Sequence, residues 1–216
     1  MVKYLLILFL FLVSCTSNES NDYEVLEGIS IFGIDLSHHN SNIKWNELDV
    51  SFVYLKATEG STYQDIKYLE YRDSCIKNNI PVGAYHFFTS SPGIKQFKNF
   101  QNVTKGKFNL IPVIDVEKCK IPKKQLQQEL CIWIRACYNT YNTYPIIYTS
   151  EAFYLKYLSD NKLIIKCNVW FGDIDKHVIK IPHIMRQSEI KKIKGSKYPI
   201  DCDLLYVSLD DIKLKN

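Results

Sequence analysis

No Gly-x-Gly-x-x-Gly turn and no phosphate loop follows any apolar run of this 216-residue sequence, which disfavours nucleotide binding. There is no Gly-x-Ser-x-Gly elbow for a serine nucleophile, and no His-Glu-x-x-His pair for a hydrolytic zinc. Seven cysteines contain no Cys-x-x-Cys pair, which further disfavours a zinc site. Lys/Arg runs are sparse. "KIPKK" (120–124) and "KKIKGSK" (191–197) read as solvated faces, and a net charge of +4 gives no nucleic-acid footprint.

What is present fits one globular domain with a sizeable core: 46% of residues are hydrophobic and 23% charged. The amino-terminal segment reads as a processing signal. Lys3 precedes an apolar stretch, residues 4–13, too short to span a bilayer and suited to a secretory signal. It ends in Leu12-Val13-Ser14-Cys15, which resembles a bacterial lipobox; an ordinary signal peptide is the rival reading. The lipobox reading takes 1–14 as signal, Cys15 as the lipidated residue, 15–28 as a polar tether and 29–216 as the folded domain. Several acyl chains on Cys15 would anchor the exported protein firmly to a membrane. Six cysteines remain, at 75, 119, 131, 137, 167 and 202. Most sit in apolar runs and read as buried thiols, with a disulfide as the alternative.

From residue 29 onward short β-branched runs alternate with helical patterns. Strands are expected at 29–37, 51–57, 81–88, 110–117, 144–150, 166–174, 181–188 and 198–207. Helices are expected at 65–79, 92–103, 122–141 and 151–158; in the third, Leu126, Leu130, Trp133/Ile134 and Cys137 recur at helical spacing. The last sixty residues carry no convincing helix. Alternation implies a parallel sheet, and eight units suggest closure into a barrel short of helices in its last third. An open doubly wound sheet is the alternative.

In such a barrel, functional groups gather at the C-terminal strand ends. Asp35 sits near the end of the first strand, Asp115 and Glu117 end the fourth, and Asp201 lies in the last. Residues i and i+2 of a strand face one way, so Asp115 and Glu117 share a face. First and eighth strands are neighbours in a closed barrel, which brings Asp35 to Asp201. Four acids in one mouth repel each other and raise at least one pKa, as a proton donor near neutral pH requires. Loop capping or pairing with lysines is the bland reading of each acid. A metal near Asp35, His38 and His39 is a rival, against which adjacent histidines rarely face one ion. Tyr85, Tyr148 and Trp170 fall near strand ends, where rings can stack on sugar faces; His86, Arg186 and Gln187 join them as candidate substrate contacts.

These motifs resemble glycoside hydrolase family 25, the Chalaropsis-type lysozymes. "FGIDLSHHN", "IKWNELDVSFVYLKATEGSTYQD", "IPVGAYHFF", "IPVIDVE" and "YPIIYTS" follow the family's wording in order, over nearly all of 31–210. The resemblance implies a modified β/α barrel with eight strands and fewer helices. It also implies hydrolysis of the β-1,4 bond between N-acetylmuramic acid and N-acetylglucosamine in peptidoglycan, with no cofactor and a monomeric protein. By resemblance the family's acids correspond to Asp35, Asp115, Glu117 and Asp201, with Glu117 the proton donor. Asp115 would stabilise the oxocarbenium-like state or orient the substrate's acetamido group. Two departures stand out. The family's Trp-Gln-Tyr-Ser is here Met185-Arg186-Gln187-Ser188, so Arg186 could instead meet a substrate carboxylate or brace the acids. Its Val-Asp-Leu-Asn is Ile200-Asp201-Cys202-Asp203, which leaves Asp203 as a rival fourth acid. A tethered, non-catalytic glycan-binding anchor is the alternative function; an amidase or deacetylase would need a metal or cysteine site that the sequence does not offer.

Overall fold

The computed structural model describes residues 30–118, 120–174 and 178–215. The signal segment 1–14, Cys15, the tether 15–28, the first residue of the expected domain and Cys119 lie outside the described residues.

The strands are β1 (Ile31–Leu36), β2 (Phe52–Glu59), β3 (Tyr63–Gln64), β4 (Val82–Phe87), β5 (Val113–Asp115), β6 (Ile146–Thr149), β7 (Val169–Phe171), β8 (Met185–Lys191) and β9 (Ile200–Leu205). Helices α1 (Tyr68–Lys77), α2 (Gly93–Thr104) and α3 (Lys123–Tyr141) follow β3, β4 and β5. After β6, α4 (Glu151–Phe153) runs into a π turn at Tyr154–Leu158. Between β7 and β9 the described residues form no helix, as the sequence pattern implies.

Eight strands close the barrel in the order β1-β9-β8-β7-β6-β5-β4-β2, and β2 pairs back onto β1. Every contact from β1–β2 round to β7–β8 is parallel. β9 is antiparallel to both β8 and β1, which corrects the expectation of a parallel sheet throughout. The connection explains the reversal. Residues 192–199 are too few for a crossover, which takes about a dozen or more, so β8 returns as a hairpin. A second hairpin, β2–β3, also escapes the alternation pattern. Its turn uses Gly60 at φ +54°, a conformation glycine adopts without steric cost.

β5 is shorter than the apolar run that encodes it. Pro112 cannot donate to a ladder, and the two residues before it turn to the C-terminal segment instead. Ile111 N–H donates to Ile212 O at 2.7 Å, and Leu110 bridges Lys213. The C-terminal 3-10 turn, Leu209–Ile212, thereby closes the barrel floor.

Two apolar clusters divide at the barrel wall. The interior holds Phe52, Tyr54, Val113, Ile146, Trp170, Met185 and Leu205. Large rings fit there because β1 and β4 lack side chains opposite them: a Cβ on Gly33 would lie 2.2 Å from Phe52, and one on Gly83 2.1 Å from Tyr54. The Tyr54 hydroxyl donates to Ile111 O at 3.0 Å, so its polar tip is satisfied. Outside the wall, α2 and α3 pack Phe97, Phe100 and Trp133 against β4. Each fully buried aliphatic or phenylalanine side chain contributes roughly 1.5–3 kcal/mol. Among the described residues, Cys75, Cys131, Cys137, Cys167 and Cys202 are free, buried thiols.

Candidate active site

Strand register assembles the acids. Asp35 pairs with Asp201 across β1–β9, because β9 starts at the mouth end and runs down the barrel. Asp115 is the last residue of β5, flanked in register by Phe87 of β4 and Tyr148 of β6; Glu117 follows two residues on. All four carboxylates line one cavity of about 180 Å³ in the barrel mouth. Tyr85, Tyr148 and Trp170 supply its aromatic wall, and Gln187 and Val113 complete it.

A hydrogen-bond chain links the wall to the acids. The Tyr148 hydroxyl donates to Gln187 Oε1 at 2.8 Å, and Gln187 Nε2 donates to Asp35 Oδ2 at 3.3 Å. Asp115 is 8% exposed and its Oδ1 is buried without a partner. Glu117 stands more open, at the rim.

Burial and crowding act together on these groups. Burial is the main cause holding Asp35 well above the usual carboxylate value; Asp201 and Glu117 add to it, and the Gln187 amide opposes it. Burial, then Glu117 and Asp35, push Asp115 well up, against Lys56 and Lys118. Partial desolvation raises Glu117 too, with Lys118, the Tyr148 hydroxyl and Lys56 pulling down. Burial raises Asp201. The mouth is therefore a set of acids that retain protons to higher pH than free carboxylates do.

Two candidate contacts lie elsewhere. His86 is fully buried on the outer face of β4, where Nδ1 meets Thr58 Oγ1 at 2.7 Å and Nε2 meets Gln96 Oε1 at 3.1 Å. Burial lowers its pKa to about 4, and it is packed in the outer layer rather than lining the cavity, which corrects its candidacy as a substrate contact. Arg186 alternates with Gln187 on β8 and faces away from the cavity, where its Nη2 donates to Ile174 O at 3.3 Å. It is not part of the cavity lining, contrary to the expectation that it meets a substrate carboxylate or braces the acids there. His38 and His39 are also accounted for: Asp65 Oδ2 takes both the His38 ring at 2.7 Å and its backbone N–H at 3.1 Å, and the two rings lie 3.9 Å apart. Among the described residues no trio of His, Cys, Asp or Glu is arranged to hold a metal ion.

Lys56, not among the residues expected at the site, places its charge on both Asp115 and Glu117. A signal existed. Phe52, Tyr54 and Lys56 alternate along β2, so a lysine stands where an inward ring is expected, in register with Tyr85.

A model of the glycosyl hydrolases family 25 matches residues 34–190. The chain belongs to this family. A family 25 glycosyl hydrolase from Bacillus anthracis shares its fold, with a TM-score of 0.75 and 26% identity over 84% of this chain and 91% of that one. The Escherichia coli protein YegX is 29% identical over 136 residues, 58% of this chain and 50% of that protein. The autolytic lysozyme of Clostridium acetobutylicum is 32% identical over 77 residues, 34% of this chain and 24% of that protein. The chain spans half or less of the length of these two curated relatives.

Proposed function

We propose that this family 25 member is a peptidoglycan hydrolase that cleaves the β-1,4 bond between N-acetylmuramic acid and N-acetylglucosamine. The observation that carries the reading is the pairing of a rim acid, Glu117, with a buried acid, Asp115, inside an aromatic-walled cavity. The lysozyme name of a relative supports the substrate class.

Glu117 is the proton donor to the glycosidic oxygen. Desolvation keeps its proton available, and its position at the rim lets a leaving sugar depart to solvent. Asp115 competes for that proton, being the more deeply buried of the two. Substrate resolves the competition. An acetamido N–H offered to the unpartnered Asp115 Oδ1 favours its ionised form and leaves the proton on Glu117. The same contact orients the acetamido oxygen as the internal nucleophile of a substrate-assisted reaction. Asp35 and Asp201 border the sugar opposite, with Tyr85, Tyr148 and Trp170 as stacking surfaces.

The purified protein is expected to release muropeptides with reducing muramic acid ends from murein sacculi, identified by borohydride reduction and mass spectrometry. Reducing glucosamine ends, or cleavage only in the peptides, would overturn the assignment.

The lipobox-like Leu12-Val13-Ser14-Cys15 supports a further part of the reading: an exported lipoprotein held to a bacterial membrane through Cys15. Radiolabelled palmitate fed to expressing cells is expected to label the wild type and not Cys15→Ser. Equal labelling of both would exclude the anchor.

A further inference from the structure

Asp203 is a fifth carboxylate that the proposed chemistry leaves unused. It lies one inward position below Asp201 on β9, in register with Gly33 of β1 and Gln187 of β8. It has no exposure, and neither side-chain oxygen has a hydrogen-bond partner. An ionised carboxylate in that state costs several kcal/mol.

The groups around it say how the cost is avoided. Asp35 on β1 and Asp201 on its own strand face it with like charge, and Tyr54 on β2 and Tyr148 on β6 feel its field. The Trp170 indole of β7 lies beside it, and its N–H too is buried without an acceptor of good geometry. Ionised carboxylates only accept, and an indole only donates. A protonated carboxyl is the one state of Asp203 that can both donate, to a neighbouring carboxylate, and accept, from the indole.

We propose that Asp203 is a positioning residue that works as an uncharged acid, giving its O–H to the Asp35 carboxylate and accepting the Trp170 N–H. Asp35 then has two donors, Gln187 and Asp203, and the Trp170 ring is fixed as the cavity wall. The electrostatics agree: burial, then Asp35 and Asp201, hold the Asp203 carboxyl well above its ordinary value, and the indole alone opposes them. The inference deepens the lysozyme reading, and its functional arm rests on that reading.

The first test needs no substrate. In the whole protein labelled with carboxyl-13C aspartate, the resonance missing from Asp203→Asn is assigned to Asp203. At about pH 6 it is expected at the position of a protonated acid, while exposed aspartates, with ordinary pKa near 3.9, are ionised. A resonance at the ionised position overturns the inference, whatever the enzyme cleaves. Stability gives the same sign. A carboxyl raised in the folded state weakens folding as pH climbs from its unfolded value toward its folded one. The melting temperature of Asp203→Asn should therefore pull ahead of wild type between about pH 4 and 7, and a constant gap would count against the idea. For function, Asp203→Leu removes the donor and is expected to lower kcat about tenfold with little change in KM, the loss of one hydrogen bond to a charged group. Asn, which still donates and accepts, should restore most of it. Equal kcat in the Leu and Asn variants overturns the positioning role. A wild type that cleaves no glycan sinks the lysozyme reading and leaves the carboxyl measurement standing.

Discussion

Glu117→Gln is expected to reduce muropeptide release by a factor of about 10² to 10⁴, the range general acid catalysis supplies. Glutamine keeps the size and polarity of the side chain but has no acidic proton to deliver to the leaving oxygen. Rim exposure makes the exchange tolerable for the fold, so circular dichroism and melting temperature should change little. The chemistry provides an internal control. A muramic acid glycoside with a nitrophenolate leaving group needs no protonation, so the variant should retain much more activity on it than on sacculi. A variant fully active on sacculi would remove Glu117 from the mechanism. One equally impaired on both substrates would point to a binding role.

Trp133→Ala should destabilise the domain by about 3–5 kcal/mol, out of the 5–15 kcal/mol that a domain of this kind possesses. Trp133 is fully buried on α3. Its ring centroid lies 5.9 Å from His86 in a stacked arrangement, 5.3 Å from Phe97 and 5.5 Å from Phe100. The indole N–H has no acceptor, so the substitution strands no hydrogen-bond partner and the loss is one of packing. Urea unfolding checks it: the midpoint should fall with the slope little changed. A loss below about 1 kcal/mol would mean the helical layer collapses around the gap far better than rigid packing allows.

The two residues stand for two kinds of information in the sequence. Asp115 and Glu117 were legible because extended chain has period two: acids at i and i+2 share a face, and both line the cavity although β5 itself ends at Asp115. Barrel closure carried Asp35 to Asp201 for the same geometric reason, although β9 runs opposite to expectation. The reversal was written in the shortness of 192–199, a cue about connection length that no strand or helix pattern contains. The errors at His86 and Arg186 are instructive. Tyr85 and His86 are adjacent, as are Arg186 and Gln187, so within each pair only one member can face the mouth. Alternation excluded joint candidacy in both cases. Choosing the inward member required knowing that Gln96 of α2 and Trp133 of α3 await His86 on the outside, contacts set by how these helices pack on the wall. Asp203 was visible as an acid but not as a buried one, because depth in a barrel depends on the neighbours' register.

The antiparallel last strand also settles how the catalytic face is presented. Ile31, where β1 enters, pairs with Leu205, where β9 leaves, and both stand at the end of the barrel opposite Asp35 and Asp201. The described chain therefore begins at the end of the barrel opposite the cavity. The mouth, lined by Asp35 and Asp201, thus opens at the end of the barrel away from Ile31, so a support coupled close to residue 30 would leave the cavity uncovered.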